Sequence, residues 1–313
     1  MKKIFVDILI ILVLLTIIDV VVGIGAREYM AWLNKTPRQG DAALVNYNLN
    51  AATPDIAVIG SSTAICHYDP DIISDSVANY TGREIEVFNM GMSRQRMAYN
   101  YYGLKWLCDR KIPKIVIEDV WASNLSAGDI SKGFIEYRPY IKTNSGVKEL
   151  FVNHGEYDFK LKSNLYCLNT TLVKLLLSSF RNGKANGYEV NRKEMQVFSR
   201  HNKKDMDEIA GLSKKEFDEM IELSKQNDFL LFVVLSPTLH SSDTTSLSYQ
   251  YMKAKCLENR IPFLDYSNDS SYFDKHYFRD FTHMNSYGAE KFTSRLMNDI
   301  KPMILSGLKL KEN

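Results

Sequence analysis

Asp55-Ile56-Ala57-Val58-Ile59-Gly60-Ser61-Ser62-Thr63 is the stretch that decides the fold. Its short β-branched run is bounded by Pro54 and Gly60, and it reads as a strand buried on both faces, the habit of a parallel sheet. The strand ends in a Gly-Ser-Ser turn, and a helical pattern follows from about Asp69 to Val77. Glu84 to Met90 reads as a second strand, ending at Gly91-Met92-Ser93, with a helix from about Arg94 to Cys108. Lys114 to Trp121, preceded by Pro113, is the third strand. This β-α-β-α-β alternation implies an α/β fold with crossover helices beside a parallel sheet.

Downstream the rhythm breaks. Residues 122 to about 208 carry scattered aromatics, a helical stretch near Asn169 to Phe180 and a polar basic run from Arg181 to Lys193. They read as an insertion after the third strand, a position that in open α/β sheets lies over the carboxyl ends of the strands. The alternation then resumes. Lys214–Gln226 is a helix, Phe229–Leu235 a strand, Thr245–Glu258 a helix and Ile261–Tyr266 the last strand. A final helix runs to about Ile304, with Asn285 or Ser286 as its N-cap.

Upstream, Met1-Lys2-Lys3 precedes an apolar run from Ile4 to Gly25, interrupted by Asp7, Thr16, Asp19 and Gly23. Its length suits a membrane span. The apolar residues sum to about −7 kcal/mol on the insertion scale, and a central Asp costs about +3 kcal/mol, so insertion wins. A cleavable signal peptide is the competing reading, but cleavage after Ala26 would leave Ile24 where a small residue is expected. We therefore expect residues 1–27 to be an uncleaved anchor, and 28–313 to be the domain that carries the insertion. Lys2 and Lys3 place the N-terminus in the cytoplasm and the rest of the chain outside, although Arg27, Lys35 and Arg38 stand on the far side. Asp19, an ionisable group inside the run, points either to another membrane protein or to a place near the interface. Residues 27 to 54 read as a connector, broken at the turn-rich Thr36–Asp41 patch.

Composition is that of an ordinary globular chain: 313 residues, 45% hydrophobic, 24% charged, net charge +2. No basic run is of the kind nucleic-acid binding needs, so that class is set aside. Cys66, Cys108, Cys167 and Cys256 show no paired spacing, which argues against zinc and dithiol chemistry, and buried thiols are expected.

Chemistry gathers at the strand ends. Asp280-Phe281-Thr282-His283 sets a carboxylate three residues from an imidazole, in a loop after the last strand. In a doubly wound sheet that loop, Gly60-Ser61-Ser62 and Gly91 lie along one edge. A serine at a strand-to-helix turn exposes its hydroxyl, and the helix start favours developing negative charge. His283 as base, oriented by Asp280, would then serve acyl transfer at Ser62. Ser61 competes with Ser62, because one of the two can simply cap the helix. His67 and His240 also fall near strand ends, and surface or hydrogen-bonded core positions account for them. Arg94 and Arg96 could hold an anionic group, or be solvated charges at a helix start.

No G-x-S-x-G occurs, so the α/β-hydrolase elbow is absent. The set resembles the SGNH (GDSL-like) hydrolase family instead. Gly60-Ser61-Ser62 matches its first block with Ser62 at the nucleophile, Asn89-Met90-Gly91 the second, and Asp280-x-x-His283 the fifth. The N-terminal apolar run and the Asp-x-x-His-Met-Asn-x-x-Gly-Ala ending are similar to its membrane-anchored branch, which includes alginate O-acetylation and lipoteichoic-acid D-alanylation proteins. The resemblance implies a three-layer α/β/α fold and a Ser62–His283–Asp280 triad. It also implies an oxyanion hole from the Ser62 and Gly91 N–H groups, and neither metal nor organic cofactor. It further implies work on an acylated carbohydrate or cell-wall polymer beside a multi-span membrane O-acyltransferase. One departure stands out. Where many relatives read G-x-N-D, this chain has Val120-Trp121-Ala122-Ser123, so Ala122 replaces a side-chain donor. Asn124 is a candidate substitute, and a non-catalytic accessory role is the alternative.

Overall fold

The computed structural model describes residues 2–126, 131–178, 180, 186–196 and 208–309. Parts of the expected insertion, including the start of the basic run at Arg181, lie outside the described residues.

Along the chain the helices are α1 (Lys2–Leu33), α2 (Asp41–Asn50), α3 (Ser62–His67), α4 (Pro70–Thr81), α5 (Met97–Cys108) and α6 (Ser131–Phe134). They continue as α7 (Ser145–Asn153), α8 (Asn164–Leu168), α9 (Thr171–Ser178), α10 (Gly211–Gln226), α11 (Leu247–Glu258) and α12 (Ser286–Lys309). The strands are β1 (Ile56–Gly60), β2 (Val87–Asn89), β3 (Ile115–Asp119), β4 (Leu230–Leu235) and β5 (Phe263–Asp265). The chain divides into two compact units.

Ala52–Ile130 with Gly183–Asn313 forms the unit that holds the sheet. Its strand order is β2-β1-β3-β4-β5, and every pairing is parallel. The α/β class read from the sequence is the class the chain adopts. Right-handed crossovers put α3, α4 and α12 on one face and α5, α10 and α11 on the other. The packing agrees, with α12 against α3 and α4, and α5 against α10. Alternate residues Ile56, Val58, Ile117 and Val234 join Tyr68, Ile73, Phe292 and Leu296 in one core. At about 2 kcal/mol for each large buried side chain, this burial outweighs the weak local preference of β2 and β5, which have only three residues each.

The direction of winding reverses between β1 and β3, which are neighbours with Gly60 opposite Asp119. Ligand crevices form at such a switch point, outside the carboxyl ends of the strands.

Helix α3 begins at Ser62 itself, not near Asp69. Pro70 separates α3 from α4, since the residue before a proline disfavours helical backbone. Asp69 then caps α4 by accepting the Asp71 N–H, and Gly82 ends it in the left-handed conformation at φ +69°. All four cysteines are free thiols, three of them buried.

Met1–Ala51 with Ser131–Asn182 forms the other unit. The connector expected from residue 27 is helical instead: α1 runs on to Leu33, and α2 follows the Gly40 turn. The apolar side chains of α1 are exposed from Ile4 to Ile18, and burial begins only at Gly23, Ala26, Met30 and Leu33. That three-to-four-residue spacing is one helix face. Asn46 joins the pieces, donating to the Met30 carbonyl at 2.8 Å and accepting from the Tyr140 hydroxyl at 2.8 Å.

Asp19 has its partners within this unit. Its carboxylate accepts from the Ser163 hydroxyl (2.6 Å), the N–H groups of Asn164 (3.0 Å) and Leu165 (2.9 Å), and the Asn164 amide (3.0 Å). The same Asn164 amide reaches the Asp19 carbonyl at 3.1 Å. A second membrane protein is not needed to explain this residue.

Candidate active site

The Gly-Ser-Ser turn is shaped by what lies beneath it. Gly60 has φ +147°, and a Cβ there would sit 2.8 Å from the Asp119 carbonyl and 3.0 Å from the Ala64 Cβ. Only glycine lets β1 and β3 close up and turn the chain here. Ser61 follows in extended backbone and precedes α3, without capping it through its side chain. Its hydroxyl instead lies 3.1 Å from the Thr63 hydroxyl and accepts the Trp121 indole N–H at 3.2 Å.

Ser62, the first residue of α3, meets His283. Its Oγ is 2.7 Å from the ring Nε2. On the other side of the ring, Nδ1 is 2.9 and 3.0 Å from the two Asp280 oxygens. An ionised carboxylate only accepts, so Nδ1 carries the hydrogen and Nε2 is left to accept from Ser62. Asp280 Oδ1 also accepts the N–H groups of Thr282 and His283, each at 2.9 Å. This local turn is why a three-residue spacing lets the two side chains meet. Partial burial disfavours the Asp280 charge, but these hydrogen bonds outweigh it and hold the carboxyl well below the usual carboxylate range.

The loop bearing His283 is tied to the far end of α3. His67, fully buried, accepts the Met284 N–H on Nε2 at 3.0 Å and lies 2.8 Å from the Ser236 hydroxyl through Nδ1. Because Nε2 accepts, Nδ1 is the donor, and Ser236 Oγ accepts from it. Burial, then the nearby His283, push the His67 pKa down to about 3, so the ring is neutral. Ser62 and His67 thus sit at opposite ends of one six-residue helix.

Asp119 lies under the turn, also fully buried. It accepts from Thr63 and, at 2.7 Å, from the Tyr68 hydroxyl. Burial raises its pKa to about 6, against hydrogen bonds from Thr63, Tyr68 and Ser236 that pull it down. The sequence reading missed Asp119, Ser236 and Trp121. Asp119 had one signal, a carboxylate on the last residue of a buried strand, next to Glu118.

Gly91, which the resemblance assigns to the oxyanion hole, lies two residues past β2. Its N–H donates to Asn89 Oδ1 at 3.0 Å. A Cβ there would meet Ala64 at 2.7 Å, so glycine is needed for the close approach of α3. The Asn89 amide continues the staple, donating to the carbonyls of Ala64 (2.7 Å) and Tyr68 (3.0 Å). In this arrangement the Gly91 N–H is engaged by the Asn89 side chain two residues before it. The Ser62 N–H belongs to the first turn of α3, where backbone donors lack intrahelical partners.

Ala122 supplies no side-chain donor, and its carbonyl accepts from the Ser246 hydroxyl at 3.0 Å. Two residues on, Asn124 is buried with its amide nitrogen unpartnered among the described residues. His240 lines, with Thr63, Trp121, Ser236 and Thr238, an open cleft of about 450 Å³. This cleft borders Ser62 through Thr63 without including Ser62 or His283. Arg94, exposed and at φ +63°, and Arg96, half-buried before α5, lie on the turn after β2.

No family model and no curated relative matches the sequence. Among solved structures, the chain is similar to a provisionally assigned acylhydrolase from Bacteroides fragilis, at 14% identity and TM-score 0.34, over 84% of this chain and 99% of that one. It is also similar to an acetyl xylan esterase, at 9% identity and TM-score 0.38, over 78% of this chain and 99% of that one. At these scores the likeness assigns nothing to individual residues.

Proposed function

We propose that this chain is a membrane-anchored, extracytoplasmic serine esterase or O-acyltransferase acting on an acylated cell-surface glycan or cell-wall polymer. In this reading residues 1–27 anchor the protein, with the N-terminus cytoplasmic and the rest of the chain on the extracytoplasmic side. The observation that carries the chemistry is the hydrogen-bonded series Ser62–His283–Asp280, with contacts of 2.7 and 2.9 Å.

The step follows from the protonation states. His283 Nε2 takes the Ser62 proton as Oγ bonds to the ester carbonyl carbon. The carbonyl oxygen gains the negative charge, beside the Ser62 N–H at the start of α3. Asp280 keeps Nδ1 protonated and stabilises the imidazolium. Collapse breaks the carbon–oxygen bond, and the leaving alcohol takes the proton from Nε2. The acyl group, now on Ser62, passes to water or to a sugar hydroxyl that His283 deprotonates in turn. Water makes the protein a hydrolase and a sugar hydroxyl makes it a transferase.

A second reading is favoured by two observations. The Gly91 N–H is held by Asn89, and Ala122 offers no donor. Losing one oxyanion donor costs about 10²–10³ in rate. On that reading the chain is a non-catalytic partner of a membrane-bound O-acyltransferase. Trapping with a fluorophosphonate separates the two. The enzyme reading expects covalent labelling that vanishes in Ser62→Ala and persists in Ser61→Ala. A folded protein that takes up no label in either background sinks it.

A further inference from the structure

Asp7 and Asp19 are the acidic interruptions of the apolar run, and the side-chain hydrogen bonds of Asp19 go to Ser163, Asn164 and Leu165. Those contacts fix the height of that segment on α1. From Ile4 to Asp19 the helix rises by about 22 Å at 1.5 Å per residue. A bilayer's hydrocarbon core is about 30 Å thick. A span that starts at Ile4 therefore reaches the outer headgroup boundary beyond Asp19, and tilt lowers Asp19 further. Whatever is bonded to Asp19 enters the bilayer surface with it.

The side chains next to the clamp in sequence suit the place. Leu165, whose N–H binds Asp19, is 41% exposed, and Phe159 is 78% exposed. Phe159 opens the 3-10 turn that ends at Lys162, just before Ser163, so about 8 Å of chain separates it from the clamp. Lys160 and Lys162 are exposed on the same turn, and long basic side chains reach headgroups from the interface. The backbone groups that would otherwise be unpaired at that depth, the N–H groups of Asn164 and Leu165, are the ones Asp19 accepts. Gly23, one turn on, leaves room for Asn164, since a Cβ there would lie 2.5 Å from its side chain.

We propose that residues 158–166 are a membrane-contact segment, with Phe159 and Leu165 inserted into the outer-leaflet interface and the Asp19 clamp holding them there. The proposal rests on the anchor reading given above. Its occupant is the phospholipid bilayer, continuous with the exposed apolar surface of α1.

The test reconstitutes the full chain in phosphatidylcholine–phosphatidylglycerol vesicles that contain a lipid with a diazirine in its acyl chain. After photolysis, labelled peptides are mapped by mass spectrometry. Leu257, 80% exposed in the sheet unit, is the internal reference. The expected result is label in residues 4–18, and in 158–166 at about tenfold the Leu257 peptide, from the transfer preference of one aromatic ring. Phe159→Ser with Leu165→Ser lowers the 158–166 label to the reference level and leaves 4–18 labelled. Label in 4–18 with 158–166 at the Leu257 level overturns the contact segment alone. No label in 4–18 overturns the anchor and the contact segment together.

Discussion

Two histidine–serine pairs share helix α3, one at each end, and they differ in what surrounds them. His283 faces Ser62 at 2.7 Å, and His67 faces Ser236 at 2.8 Å. In the first, the second ring nitrogen donates to the Asp280 carboxylate. In the second, it accepts a backbone N–H, which protonation would break, and the ring is fully buried. The same residue pair is therefore fitted for proton transfer in one place and for fixing a loop in the other. The second ring nitrogen and solvent decide the role of a histidine, not the serine beside it.

The sharpest way to break this comparison is at Ser62, the proposed nucleophile. Ser62→Ala should lower turnover of a chromogenic acetate ester by about 10⁴–10⁶, the range found when a triad nucleophile is lost. Ser236→Ala should leave most activity in place, and equal losses at the two serines would erase the distinction. Next comes Asp280→Asn, which permits the wrong His283 tautomer and should cost about 10⁴ in kcat. Its KM should hardly change.

His67→Gln tests the tether. With the Met284 N–H released, His283 loses its register on Ser62, and kcat should fall by about 10² with the fold intact. A kcat within about twofold of wild type would remove the positioning role. The same variant carries a pH signature. The His67 pKa is lowered in the folded state to about 3, so its stability contribution is full above the unfolded pKa and is lost as pH falls towards 3. Asp119 runs the other way. Its folded pKa is raised to about 6, so its contribution is full below the unfolded value near 3.8 and is lost as pH rises through 6. The difference in urea midpoint between wild type and His67→Gln isolates the first term, and it should shrink as pH drops from 6.5 towards 3. The smallest effect is expected at Trp121→Phe, which removes the indole donor to Ser61 and Thr63. About 1 kcal/mol of stability should be lost, read by urea unfolding.

Much of the sheet was legible because buried parallel strands are written as short apolar runs between breakers. Val58, Ile117 and Val233 could hardly sit elsewhere. The Ser62 and Asp280–His283 stretches were legible for a related reason, since a Gly-Ser-Ser turn and an Asp-x-x-His loop place polar groups at strand ends. Other features left no local trace. Helix α2 has little periodicity, and burial of Ala42, Leu44, Val45 and Leu49 on several sides replaces an amphipathic stripe. Asp19 looked like a group seeking an outside partner because its donors lie 144 residues or more away in the chain.

The sequence by itself determined the α/β class, the strand order of appearance, the apolar leading helix and the chemical character of each strand-end turn. These depend on neighbours within a few residues, through backbone preference and hydrophobic period. Only the tertiary structure decided that Gly91 donates to Asn89, that His67 holds the loop after His283 and that Asp19 is satisfied within its own unit. Each of these is a hydrogen bond, and the choice of partner depends on which groups burial leaves within about 3 Å of one another.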